Sequence, residues 1–341
     1  MYRNHSQGYS LKKLLQSCSL VLLLATSFIA QATGLERVNL SSNRPCIETL
    51  AGVGRHFESY LDGMNKSMGI KFDLIHKWLP ENNDRGTIVD VGTGTGRLAL
   101  QLSERFPDYQ ITGIDISQAM IDRANNLAVG RANLNFKLSR ADQLFSNGNA
   151  DAAIYSSITH EIYSYSEDSL EAVKQSMRVA HQSLRDGGRV IIRDFVKPQN
   201  PEQIVILVHQ KSDMVDGCSF CEFSQSFGRP VHYQKLKETD TEIHYKTTMS
   251  AAYEYMYRKD YHDNWDAELA EQYGFWTEQE AKQVLRESGF KVVHYEELNN
   301  DWINTNRLEN RVSLLDPSTG EEIPTPNYQM LIVGEKYPVG R

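Results

Sequence analysis

Three observations predict a doubly wound α/β domain with a mostly parallel sheet. Short aliphatic runs alternate with amphipathic helical stretches, a glycine-rich turn joins the first such run to its helix, and an acid closes the second run. Thr87–Val91 reads as the first strand and 98–106 as its helix. Tyr109–Ile114 is the second strand, and Ser117 is an N-cap for a helix through Leu127. Leu134–Leu138 and Ala152–Tyr155 are the third and fourth strands. A helix over Ser169–Leu184 then runs into Asp186, Gly187 and Gly188, before a fifth strand at Arg189–Arg193. After an interruption the alternation resumes. Thr277 and Glu280 form a capping box, Gly289 closes that helix, Lys291–Tyr295 is a sixth strand, and Tyr328–Val333 is a last strand behind a proline-bearing loop.

Around this frame the chain divides into four parts. Residues 1–32 read as an export leader: Lys12 and Lys13, an apolar run from Leu20 to Ala30, then Ala30, Gln31 and Ala32. The run is about half the roughly 20 apolar residues that cross a bilayer, so no stable membrane insertion is expected beyond the leader. Residues 33–84 read as a helical cap, with Leu50, Phe57, Leu61, Met64 and Met68 at helical spacing; Tyr60 and Lys66 are its residues placed to close over a ligand. Residues 85–195 and 277–336 form the α/β domain, and 196–276 is a polar, irregular insertion rich in aromatics.

Charge narrows the partners. The net charge is −8, and without Arg3, Lys12 and Lys13 of the leader the balance falls to 33 basic against 44 acidic residues. Such a surface disfavours broad binding to nucleic acid, and a small-molecule substrate is expected instead. Four cysteines in 341 residues build no disulfide framework. Cys218 and Cys221, with His209 and His232, give half a zinc pattern at most, so no metal site is assigned.

The richest segment is Ile88 to Gly96, with Asp90, Gly92, Gly94 and Gly96. A buried strand delivers the chain to a tight turn, glycines let backbone approach a ligand, and the next helix aims free N–H groups at it. Asp115 ends the second strand, where a carboxylate accepts both hydroxyls of a ribose. A dinucleotide site wants a wider glycine spacing, so a nicotinamide-dependent oxidoreductase is the weaker reading. A noncatalytic nucleotide-binding protein of the same fold is the other alternative.

With these residues the sequence resembles the class I S-adenosylmethionine-dependent methyltransferases over about 85–195 and 277–336. The resemblance implies a Rossmann-like seven-stranded sheet whose last strand is antiparallel, and S-adenosyl-L-methionine as cofactor. It also implies that Gly92, Gly94 and Gly96 lie under the methionine part, with Asp90 ordering the loop. Asp115 then holds the ribose beside Ile116, Met120 covers the adenine, and Ala141 and Asp142 meet its edge.

The acceptor belongs at the carboxyl ends of the strands. There the fourth strand enters a polar cluster, Ser156 to Tyr163, and the fifth ends in Arg193 and Asp194. Ser156 is assigned to the cofactor, His160 as general base, Glu161 as its orienting carboxylate, and Tyr163 and Arg193 to the substrate. The cluster lacks the Asn/Asp-Pro-Pro-aromatic signature of base N-methylation in the resembled family, so transfer to oxygen or nitrogen of a small molecule is expected. The insertion is assigned as a substrate lid whose Tyr257 and Trp265 clasp an aromatic or cationic group, a small core of the insertion's own being the equal alternative. A leader points to export, whereas the cofactor points to a cytosolic environment.

Overall fold

The protein is described by a computed structural model over residues 36–37, 68–80, 86–215 and 218–337; the leader, Tyr60, Lys66 and most of the helical cap lie outside the described residues. In chain order the elements are β1 (Glu36–Arg37), α1 (Met68–Ile75), β2 (Thr87–Val91), α2 (Arg97–Arg105), β3 (Gln110–Asp115), α3 (Gln118–Ala128), β4 (Leu134–Leu138), β5 (Ala150–Ser156), α4 (Thr159–Tyr165), α5 (Ser169–Ser183) and β6 (Leu184–Phe195). They continue with β7 (Ile204–Gln210), α6 (Phe220–Ser226), β8 (His232–Glu238), β9 (Glu242–Thr248), α7 (Met249–Met256), α8 (Trp265–Ala270), α9 (Glu278–Glu287), β10 (Phe290–Leu298), β11 (Val312–Leu315), β12 (Glu322–Ile323) and β13 (Gln329–Lys336).

Seven strands form one sheet in the order β10-β13-β6-β5-β2-β3-β4. The β2–β3, β2–β5, β3–β4 and β5–β6 pairs are parallel, while β13 is antiparallel to both β6 and β10. Both faces are covered, which explains strands apolar on both sides. Ile88, Ile111, Ile154 and Ile191 face α1, α2 and α3, whereas Val89, Ala153 and Ile192 face α5 and α9. Each fully buried leucine or isoleucine in these layers contributes about 2 kcal/mol. Ser117 caps α3 by accepting the Met120 amide, and Thr277 with Glu280 makes the full capping box of α9, as the sequence predicts.

The 196–276 stretch corrects the expectation of an irregular lid. It supplies β7, β8 and β9 to a second, six-stranded sheet of order β1-β8-β9-β7-β11-β12, all of whose pairings are antiparallel. β11 and β12 come from the loop before the last strand, so residues 312–323 leave the α/β domain and join this sheet. The period-two signal is present in β9, where Ile243, Tyr245 and Thr247 are buried and Glu242, His244, Lys246 and Thr248 are not.

Tyr257 is also corrected: it is a core residue, not a lid residue. It is 5% exposed, stacks on Tyr328 with ring centroids 4.4 Å apart, and donates its hydroxyl to the Pro326 carbonyl at 2.6 Å. Trp265, half-buried, packs against the same aromatic core. Arg258 is fully buried, sits over the Tyr273 ring at 4.4 Å, and donates to the Glu254 side chain and to the Glu268 and Glu271 carbonyls. An arginine already holding these partners has little left for a ligand.

Candidate functional site

The β2–α2 turn is held in a conformation that glycine favours. Gly92, Gly94 and Gly96 have φ of 68°, 54° and 80°, and a Cβ at Gly92 would stand 2.4 Å from Ile158. Thr93, between them, donates its hydroxyl to Asp90 at 2.6 Å. Asp90 is 2% exposed. Burial pushes its carboxyl up to about 6 against the Thr93 hydrogen bond and the Lys71 charge, which favour ionisation.

Asp115 joins the turn to β3. One carboxylate oxygen accepts the Gly94 amide and the other the Ser117 amide, each at 2.8 Å. Burial raises its pKa, opposed by the Ser117, Gly94 and Ile116 amides. A carboxylate offers about four acceptor sites, and with three amides bound one remains for a ribose hydroxyl. Beside it Ile116 is 47% exposed and Leu138, ending β4, is 54% exposed, apolar surface suited to a nucleobase; Met120 is buried at the start of α3. Ala141 gives its carbonyl to Ser176, and Asp142 forms a two-pronged pair with Arg140 at 2.9 Å on both sides. The donor set fits S-adenosylmethionine: glycine backbone for the amino-acid tail, Asp115 for the ribose, apolar side chains for the adenine.

His160 requires a correction. Its Nδ1 donates to Asp194 at 2.7 Å and its Nε2 lies 3.3 Å from Glu271, with the ring wedged edge-on against Phe195 and Tyr273. Burial works against a charged ring, yet the Asp194 and Glu271 carboxylates outweigh it and hold the pKa well above the histidine value. Both nitrogens face carboxylates, so neither is free to take a proton from an acceptor. Asp194 also caps α4 through the Thr159 amide and hydroxyl, both at 2.6 Å. The pair is a brace between β6 and α4.

Glu161 is left with a different part. Its carboxylate has no hydrogen-bond or ion-pair partner among the described residues. Burial, then the Glu271 charge, raise its pKa well above the usual carboxylate range, with His160 pulling the other way. A half-buried carboxylate in that condition takes up a proton readily. Tyr163, two residues on, stacks on Phe275 at 4.6 Å.

On the opposite face of the β5 and β6 ends lies Arg193, 4% exposed. It donates to Ser157 Oγ at 3.0 Å and to Gln329 Oε1, and is not within ion-pair distance of any carboxylate among the described residues. Burial depresses its pKa. Ser157 holds φ at 60°, a left-handed conformation unusual for a side-chain-bearing residue, and its amide bonds to the Arg193 carbonyl at 2.7 Å.

The methyltransferase domain family matches residues 82–289, from just before β2 to the end of α9. The chain belongs to that family. Residues 82–289 are thus a methyltransferase domain. The tRNA1(Val) (adenine(37)-N6)-methyltransferase of Vibrio parahaemolyticus is 35% identical over 68 residues, covering 19% of this chain and 28% of that protein. The demethylmenaquinone methyltransferase of Deinococcus radiodurans is 26% identical over 176 residues, covering 46% of this chain and 68% of that one. Among solved structures, an S-adenosylmethionine-dependent methyltransferase of Clostridium acetobutylicum is similar with a TM-score of 0.44 and 11% identity, over 83% of this chain and 99% of that one. Among the described residues of this methyltransferase no helix is long and apolar enough to cross a membrane, and no three His, Cys, Asp or Glu gather as metal ligands. His209 instead meets Tyr255 and Asp213, and Cys221 meets the Tyr233 hydroxyl.

Sequence reasoning missed Lys71, Ser157 and Glu271. Lys71 is the informative miss: it lies in the apolar stretch Met68–Ile75, and a lone lysine there can snorkel to water. Here it does not, being 9% exposed.

Proposed function

We propose that this methyltransferase moves the methyl group of S-adenosylmethionine to an oxygen or nitrogen of a small-molecule acceptor held at the ends of β5 and β6. The observation that carries this reading is the unpartnered Glu161 carboxylate on α4, one element from the glycine turn. Bound S-adenosylmethionine supplies an electrophilic methyl on a sulfonium and leaves as a neutral thioether. The turn and Asp115 fix where that group lies, and the His160–Asp194 brace fixes α4 against β6, so the acceptor meets a set geometry. Glu161 receives the proton given up by the acceptor O–H or N–H as its lone pair forms the new bond to carbon. Ala141 and Asp142 border the adenine side, with Ser156 between it and the acceptor. Tyr163 and Arg193, on opposite faces of the β5–β6 edge, flank the acceptor.

Some of the relatives support a small-molecule acceptor, while others are tRNA and release factor methyltransferases. The former include a demethylmenaquinone methyltransferase and a trans-resveratrol di-O-methyltransferase, the latter from Vitis vinifera. The chain spans 28% and 68% of the length of the first two relatives, so their substrates stay with them.

The test uses labelled S-adenosylmethionine with pools of phenols, amines and hydroxy acids. Glu161→Gln should lower kcat at least a hundredfold, since a positioned base contributes about 10²–10⁴-fold. S-adenosylhomocysteine affinity should stay within about threefold. Unchanged turnover with Gln would remove Glu161 as the base.

A further inference from the structure

Three buried polar side chains on one face of the seven-stranded sheet each keep a donor or acceptor without a partner among the described residues. Arg193 uses two N–H groups, toward Ser157 and Gln329, while its Nε is buried without a hydrogen bond. A guanidinium carries five such donors in a planar fork. Ser156 sits beside it in register across the β5–β6 pair, and its Oγ is buried and unpartnered as well. Lys71 reaches the same face from α1, whose Met68 and Ile75 pack with Ile154, Ile191 and Leu331. It is 9% exposed and has no hydrogen-bond or ion-pair partner among the described residues.

Two buried cations without a bonded counterion are costly. Arg193 and Lys71 disfavour each other: burial and then the Arg193 charge pull the Lys71 ammonium down to about 8. Neighbouring acids do not bond either cation: the Glu161 charge favours the Lys71 ammonium, but the two side chains make no ion pair. Asp194 is taken by His160 and Thr159 on the other face, and Asp90 is taken by Thr93. The one chemistry that satisfies a guanidinium edge, an ammonium and a hydroxyl together is a small oxyanion.

We propose that Arg193, Lys71 and Ser156 form a buried anion subsite that receives a carboxylate or phosphate group of the methyl acceptor, which makes the acceptor an acid. The assignment rests on the methyltransferase reading above. The acceptor, not the cofactor, is favoured as the source because Tyr261, a half-buried ring before α8, bears on Arg193 from beyond the sheet. It suits an acidic ring compound.

The experiment titrates the full chain, saturated with S-adenosylhomocysteine, with 4-hydroxybenzoate, its uncharged methyl ester, and inorganic phosphate. The wild type should bind one of the two anions at least tenfold more tightly than the ester. Lys71→Met should reduce that preference to within about threefold and melt no lower than the wild type, because an unpaired buried ammonium is replaced by an apolar chain of similar shape. Arg193→Lys, which keeps the charge but loses the fork, should also lose most of the preference. Equal binding of anions and ester by the wild type, or a preference kept in Lys71→Met, would overturn the subsite. If the variants instead weaken S-adenosylhomocysteine tenfold while anion binding to the loaded protein is unchanged, the oxyanion is the cofactor's own carboxylate and the acceptor assignment falls. A wild type that binds no S-adenosylhomocysteine fails the methyltransferase reading, a separate result.

Discussion

Replacing Asp90 by asparagine should make the cofactor turn worse and remove a loss of stability that the wild type suffers as pH rises. Asp90 is 2% exposed on β2, and burial raises its carboxyl from the ordinary 3.8 to about 6. The folded chain therefore holds this proton more tightly than the unfolded chain. That contribution is complete below pH 3.8 and is lost as pH rises through 6, above which the fold carries a buried charge. A shift of about two pH units corresponds to about 3 kcal/mol, of which about 2 kcal/mol develops between pH 4.5 and 7.5. Asparagine never ionises. Urea unfolding of both proteins should show Asp90→Asn gaining about 2 kcal/mol on the wild type between pH 4.5 and 7.5. The carboxylate accepts both the Thr93 hydroxyl and the Ala99 amide, and an amide oxygen cannot replace both acceptors. S-adenosylhomocysteine affinity should accordingly drop about tenfold, one lost hydrogen bond to a charged group. A stability difference that does not change with pH would refute the reasoning.

Asp115→Ala removes the acceptor of the Gly94 and Ser117 amides along with the ribose contact, and should weaken S-adenosylhomocysteine by about ten- to a hundredfold in calorimetry, about 1.5–3 kcal/mol. Tyr257→Ala should cost about 3–5 kcal/mol by chemical denaturation, as a buried ring lost from the core, whereas Tyr257→Phe loses only the Pro326 hydrogen bond and about 1 kcal/mol. A Tyr257→Ala protein as stable as the wild type would return this ring to the acceptor side.

What was legible in the sequence followed from periodicity and turn chemistry. Gly92, Gly94 and Gly96 all adopt positive φ, and Asp115 reaches Gly94 from the neighbouring strand, because both were read from what a strand–turn–helix needs. The second sheet was hidden because its strands are separated by turns and helices, and β11 and β12 join it from far along the chain. Tyr257 and Trp265 read as a ligand clasp because a sequence does not reveal whether an aromatic cluster faces a core or a ligand. His160 reads as a base from its residue type and its place at the end of the fourth strand. Its role is decided by Asp194 and Glu271, which approach it from 34 and 111 positions away.

The central claim is that the glycine turn and Asp115 bind S-adenosylmethionine rather than a dinucleotide. Isothermal titration of the chain with S-adenosylhomocysteine and, separately, with NADH tests it most directly. Micromolar binding of S-adenosylhomocysteine with no heat from NADH is the predicted result. NADH binding without any response to S-adenosylhomocysteine would contradict the account.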